Sequence, residues 1–178
     1  MPISPGTYAL GPDDGELIVR TQRTGAAAKA GHNLKIVVSA WNATIEAGAE
    51  PSDLRIELLV DGGSLKVLEG TGGMQALDDD HKREISETID NDVLKREQIA
   101  FRSTSAEAGA GDAVRVTGDL TLNRKPRPIT FDVDSGGGRV TATTVIKQTD
   151  WGMKPYSTLF GALKVVDEVE ISIDANLG

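Results

Sequence analysis

Along most of its length the chain alternates apolar and polar residues with a period of two, and this rhythm restricts the fold more than any other feature. A strand turns successive side chains to opposite faces, so such alternation marks strands with one buried face. Ile56, Leu58 and Val60 are set against Arg55 and Glu57, and Val114, Val116, Gly118, Leu120 and Leu122 form a longer stripe. Ile129, Phe131 and Val133 alternate with Thr130, Asp132 and Asp134. Val140, Ala142, Thr144 and Ile146 follow, and Val169, Ile171 and Ile173 alternate with Glu168, Glu170 and Ser172. Upstream, Val37, Trp41, Ala43 and Ile45 read as one face, with a phase shift at Ile36-Val37-Val38 that suggests a bulge. Turn-forming runs such as Asp61-Gly62-Gly63, Asn123-Arg124-Lys125-Pro126 and Ser135-Gly136-Gly137-Gly138 separate the strands. Strands this close in sequence pair as an antiparallel meander. So many of them in one unit must stack as a sandwich or close as a barrel.

Two segments break the rhythm. After Asp78-Asp79-Asp80 the apolar residues Ile85, Ile89 and Val93 recur every four positions, the spacing of an amphipathic helix. Acids stand at its positive end and Lys95 and Arg96 at its negative end. Such a helix packs on a barrel wall or plugs one end. The second segment runs from Trp151 to Lys164 and includes Trp151, Pro155, Tyr156 and Phe160. Strand connections are usually short and polar, so an aromatic, glycine-punctuated one suggests a cover folded over the opening of a closed sheet.

The length of 178 residues reads as a single domain over 1–178, with room for a substantial core. A net charge of −8 argues against nucleic acid as a partner, because phosphate recognition needs a basic stripe or patch. The absence of cysteine removes disulfides, thiolate catalysis and cysteine-ligated metals. No basic head followed by an apolar run opens the chain, and no run approaches the roughly 18 apolar residues of a membrane span. A cytoplasmic, non-spanning protein is therefore expected.

Few residues promise chemistry. There is no Gly-x-Ser-x-Gly elbow or phosphate loop, and Gly70-Thr71-Gly72-Gly73 reads as a turn. Asp78–Asp80 and Asp90–Asp92 lack the spacing of a calcium loop and read as helix-end charge. Of the two histidines, His81 reads as solvated. His32, in Ala30-Gly31-His32-Asn33-Leu34, either donates to a ligand head group, holds a loop, or is satisfied by nearby backbone. No zinc site or other cofactor is expected. Arg124, Lys125 and Arg127 cluster at a hairpin tip, either solvated or attracting an anionic head group. Trp41 and Trp151 stand among small or aliphatic residues, where a large ring lines a cavity or fills the core.

A set of motifs in fixed order resembles the YceI-like family, in particular its shorter, leaderless branch. The motifs are Lys29-Ala30-Gly31-His32-Asn33-Leu34, Trp41, Ser64-Leu65-Lys66-Val67, Glu69-Gly70-Thr71-Gly72-Gly73, Ile99-Ala100-Phe101-Arg102-Ser103, Gly118-Asp119-Leu120-Thr121-Leu122 and the tract from Trp151 to Lys164. The resemblance implies a mainly β fold: an extended, antiparallel, lipocalin-like β-barrel with one inserted α-helix. It further implies a long apolar tunnel that takes a polyisoprenoid or fatty-acyl chain. Many relatives carry Asp directly after the histidine where this chain has Asn33, which removes a charge from any head-group contact there.

The expected function is non-enzymatic binding, storage or transport of a long apolar molecule. The expected ligand-binding residues along the barrel are Trp41, Ile56 and Leu58, then Phe101 and Leu120, then Phe131 and Ile146. His32 and Tyr156 are expected at the mouth, with Trp151 and Phe160 in the cover. Two rival readings remain. One is an enzyme on a bound lipid-like substrate with His32 as general base, which requires a carboxylate or hydroxyl within reach of that ring inside the cavity. The other is an interaction scaffold with a filled core. A homodimer that covers an open edge is also compatible with the sequence.

Overall fold

The strands form where β-branched and aromatic residues alternate with charged ones, and breaks fall at the glycine and proline runs. The computed structural model describes residues 3–178. Its strands are β1 (Gly6–Leu10), β2 (Gly15–Thr21), β3 (Arg23–Thr24), β4 (Asn33–Val38), β5 (Trp41–Ala47), β6 (Arg55–Val60) and β7 (Leu65–Thr71). The helix α1 (Asp79–Thr88) follows and continues into a wider π turn over Ile89–Val93. Then come β8 (Ile99–Ala108), β9 (Val114–Leu122), β10 (Lys125–Gly136), β11 (Arg139–Lys147), β12 (Ser157–Thr158), β13 (Leu163–Val165) and β14 (Glu168–Asn176).

Six of these segments are halves of three long, bent strands. β4 pairs with β7 from Asn33↔Thr71 to Val38↔Leu65, and β5 with β6 from Trp41↔Val60 to Glu46↔Arg55. The two ladders are joined where Ser39 N–H donates to Ser64 O at 2.8 Å and Asp61 N–H to Ala40 O at 3.0 Å. β1 and β2 run in the same way along the other side of β5 and β4. With β8, β9, β10, β11 and β14 this makes eight long strands in a meander. β14 pairs with β2 from Glu170↔Arg20 to Ala175↔Gly15, so the ladder returns to its first strand and the sheet curls round as a barrel. A separate small sheet, in the order β12-β13-β3, sits at the end where β11 leaves and β14 enters.

Inside, β9 alternates along its whole length between inward and outward residues, as its stripe predicts. The rings of Phe101 and Phe131 meet with centroids 5.3 Å apart and planes tilted by 54°, within the range of favourable aromatic contacts and between the offset-stacked and edge-to-face arrangements. Gly118 makes room for this pair. A Cβ there would lie 2.4 Å from Arg102 O and 2.6 Å from the tip of the Phe101 ring.

The upstream strand corrects the sequence reading. Ile36 and Val38, not Val37, are buried with Trp41, Ala43 and Ile45. The change of phase lies at Ser39-Ala40, where the long strand bends between β4 and β5, while the register against β7 slips one residue earlier than expected, between Lys35 and Ile36. Val38 and Trp41, three positions apart, both face inward, so the bend changes which parity does.

α1 starts as its charges require, but no basic residue stands in its last turn. Asp78 caps it, accepting from His81 N–H at 2.8 Å, with Asp79 and Asp80 in the first turn. Lys95 and Arg96, in the left-handed region at φ 54 and 53, reverse the chain after it. The helix covers the stretch of β7 that lies beyond the start of β8. Ser86 Oγ accepts from Val67 N–H at 3.0 Å and Asp90 Oδ1 from Leu65 N–H at 3.3 Å. An exposed edge that would otherwise offer unpaired donors is thereby satisfied. Asp90 is thus no solvated helix-end charge, as the sequence suggested, but a carboxylate only 7% exposed. Burial raises its pKa above the ordinary carboxylate value, and the Leu65 N–H and nearby Arg96 partly oppose this.

Candidate ligand-binding cavity

The inward faces of the eight strands do not fill the barrel. Two cavities lie along its axis, one of about 380 Å³ toward the end that carries α1 and the small sheet, and one of about 110 Å³ deeper in. Leu120 on β9 and Ile171 on β14 border both, so they form the waist between an outer and an inner lobe.

The inner lobe is walled by Ile56 and Leu58 of β6, Phe101 of β8, Phe131 of β10 and Ile173 of β14. The outer lobe takes its wall from several sources. Ile85, Ile89 and Val93, the four-residue stripe of the helical segment, face into it together with Leu94. Leu34 and Ile36 of β4 and Ile146 of β11 stand around them. Met153, Tyr156 and Val165 come from the connection between β11 and β14, which therefore forms a lip at this end. The inserted helix both shields an edge and walls the cavity. Polar groups on the outer lobe are few: Thr21, Glu84, Thr88, Gln148 and Tyr156.

The lip is tied down at its base. Trp151 is only 2% exposed; its Nε1–H donates to Leu120 O at 2.9 Å, and its own carbonyl accepts from Asn123 Nδ2 at 2.9 Å. Gln148, also buried inside the turn, donates from Nε2 to Val166 O at 3.3 Å. Asp167 accepts from Thr149 N–H at 2.9 Å and from Thr149 Oγ1 at 2.5 Å. These bonds, led by the Thr149 hydroxyl, hold the Asp167 carboxyl below its ordinary pKa. Beyond the base, Val165 N–H donates to Tyr156 O at 2.9 Å and closes the hairpin of β12 and β13. Tyr156 is exposed at the mouth.

Of the residues singled out in the sequence, Ile56, Leu58, Phe101, Leu120 and Phe131 meet at the inner lobe, and Leu120, Ile146 and Tyr156 at the outer one. Four lie elsewhere. Trp41 belongs to the packed core of the barrel wall, and Trp151 anchors the lip as described. Phe160 is fully exposed at the hairpin tip. His32 binds backbone, with Nε2 and Gln75 O 2.7 Å apart, and holds the loop after β7 rather than facing a carboxylate. Its neighbour Asn33 accepts from Arg23 N–H at 3.0 Å, so this side chain too is used in joining loops. The helix residues that line the outer lobe were missed, because an amphipathic stripe signals burial without saying which cavity it faces. Among the described residues, no group of three or more His, Asp or Glu side chains is placed to hold a metal.

The model of the YceI-like domain matches residues 18–177. Among solved structures, the chain is similar to BcnA of Burkholderia cenocepacia, at 16% identity and a TM-score of 0.64, over 90% of this chain and 94% of that one. It is also similar to the YceI protein of Campylobacter jejuni, at 16% identity and a TM-score of 0.54, over 81% and 85%. A mutant of the latter, crystallised with a monobromobimane guest, matches at 15% identity and a TM-score of 0.56 over the same shares. No curated protein matches the chain. With nearly the whole barrel inside the matched region, and a lipocalin-like binding fold around an apolar interior, this chain belongs to the YceI-like family.

Proposed function

We propose that the protein is a non-enzymatic carrier of a single long apolar chain, fatty-acyl or isoprenoid, held along the barrel axis. The observation that carries this reading is the pair of apolar lobes that meet at Leu120 and Ile171. At roughly 30 Å³ per water-sized group, the outer lobe takes about a dozen chain atoms and the inner one about four. Sixteen methylenes at about 0.8 kcal/mol each amount to about 13 kcal/mol of gross burial. After a loss of several kcal/mol of freedom on association, this is enough for micromolar binding without a polar anchor. A longer prenyl chain would leave its remainder, and any head group, at the mouth among Tyr156, Thr88 and Glu84. The enzymatic alternative loses its support at His32, whose Nε2 is engaged by a backbone carbonyl outside either lobe. The scaffold alternative required a filled core.

The test is to extract the purified, never-denatured protein with organic solvent, analyse the extract by mass spectrometry, and titrate the stripped protein with hexadecanoate. A stoichiometric chain compound, or saturable binding of hexadecanoate, supports the carrier. A clean extract together with no binding would sink it.

A further inference from the structure

The lip has a second face, turned away from the cavity. Leu159 and Phe160 stand at the tip of the β12–β13 hairpin with φ 51 and 54, two successive non-glycine residues in the left-handed region. Such a backbone is costly for L-residues and is kept where the surroundings impose it. Here it points the Phe160 ring wholly into solvent and leaves Leu159 half exposed. The base of the same hairpin, Tyr156 and Val165, lines the outer lobe.

The charge around this tip is segregated. In a chain with 27 acidic residues, none occurs between Glu16 and Glu46, nor between Asp150 and Asp167. The fold brings these two acid-free stretches together. β13 pairs with β3 through Lys164↔Thr24 and Val165↔Arg23, and Ala27 N–H donates to Ala162 O at 2.8 Å. Lys29 and Lys164 are exposed there and Lys154 is exposed earlier in the same lip, and no ion pair among the described residues uses them. Arg23 adds its charge at the seam, where its Nη1 donates to Thr71 O at 3.1 Å. α1 bounds the patch across the mouth: Glu84 shares the outer lobe with Tyr156 and Val165, and the acidic start, Asp78 to Asp80, follows the Gln75 carbonyl that His32 binds.

From this geometry we propose that the lip is a docking surface for an anionic lipid bilayer. Phe160 and Leu159 insert at the level of the head groups, and Lys29, Lys154 and Lys164 face the lipid phosphates. An apolar tip flanked by cations, on a protein whose overall net charge opposes such contact, is the arrangement that interfacial binding requires. The inference goes beyond the carrier reading and can be tested without any cavity ligand. It supplies a route by which a water-insoluble chain meets the mouth.

The test is co-sedimentation of the full chain with vesicles of phosphatidylcholine alone and of equal parts phosphatidylcholine and phosphatidylglycerol. The protein is expected to bind the mixed vesicles and to be released by salt. Phe160→Ala should weaken that binding roughly tenfold, as loss of a buried aromatic ring implies, and each of Lys154→Ala and Lys164→Ala about fivefold. In Phe160→Trp the new indole is the exposed one, and its emission should shift to the blue on mixed vesicles. No binding to mixed vesicles, or equal binding by wild type and Phe160→Ala, overturns the proposal. So does a Phe160→Trp spectrum that vesicles leave unchanged, which would turn the surface over to a protein partner.

Discussion

Leu120 stands at the waist between the two lobes, and a larger residue there should separate them. The ring of Leu120→Phe would extend into empty space on either side, so the fold should lose no more than the lower part of the 1–3 kcal/mol usual for overpacking, or about 1 kcal/mol. Binding should change far more, and in a chain-length-dependent way. The inner lobe, about 110 Å³, holds about four methylenes at roughly 30 Å³ each. Exclusion from it forfeits about 3 kcal/mol, roughly two-hundredfold in affinity, for a chain long enough to reach it. Dodecanoate, which the outer lobe accommodates alone, should bind wild type and variant nearly alike. Hexadecanoate should bind wild type much more tightly than dodecanoate does and lose that advantage in the variant. Isothermal titration with the two acids, beside denaturant unfolding of both proteins, reads every term. If hexadecanoate keeps its advantage in Leu120→Phe, or if both acids weaken equally, the chain does not thread the waist and the two-lobe reasoning is wrong.

Asp90→Asn should be neutral or stabilising at neutral pH, because the amide oxygen can still accept from Leu65 N–H without a buried charge. Asp90→Ala should cost about 1–3 kcal/mol for the donor left without a partner, as urea unfolding of both variants would show. The sign of the pH dependence agrees: the folded pKa is raised, so this site favours folding most below the ordinary value of 3.8 and loses that benefit as pH rises through the folded pKa. Asp167 has the opposite sign, a folded pKa below 3.8. Its support of the turn is present above 3.8 and lost as pH falls through the folded value, so the protection factor of Thr149 N–H against hydrogen exchange should fall in acid, and should not change with pH in this way in Asp167→Asn. Trp151→Ala should lower stability by about 3–5 kcal/mol, whereas Tyr156→Ala, at the exposed mouth, should leave the melting temperature in place and speed release of a bound acyl probe. Equal effects of the two on both measurements would refute the distinction between lip base and mouth.

The strand stripes were legible because a half-buried strand advertises its buried face every second residue, and β9 kept its stripe from Val114 to Leu122. The helix was legible from the four-residue recurrence of Ile85, Ile89 and Val93, and its start from Asp78. The inward aliphatics that line the lobes, such as Leu58 and Leu120, followed from the same parity. Parity also failed, at Val37, because a bend at Ser39-Ala40 resets it and no local residue pattern records how many residues leave the ladder. The four side chains that the fold places outside the lobes were judged by type. Aromatic and imidazole rings suit a cavity, a core, an exposed tip or a backbone anchor equally well, and only neighbours distant in sequence decide among these.

What the sequence alone determined is therefore the local content: which residues pair into strands, which face of each is apolar, where the one helix lies, and that no constellation of reactive groups recurs along the chain. Only the tertiary structure decided that β14 returns to β2, that the interior stays open on both sides of Leu120, and that Asp90 serves the edge of β7. It alone joined two acid-free stretches more than a hundred residues apart beneath the Phe160 tip. The physical reason is the same in each case. Propensity and periodicity are properties of near neighbours, whereas closure, cavity and patch depend on which distant surfaces are brought into contact, and the energy that selects those contacts is shared over the whole barrel.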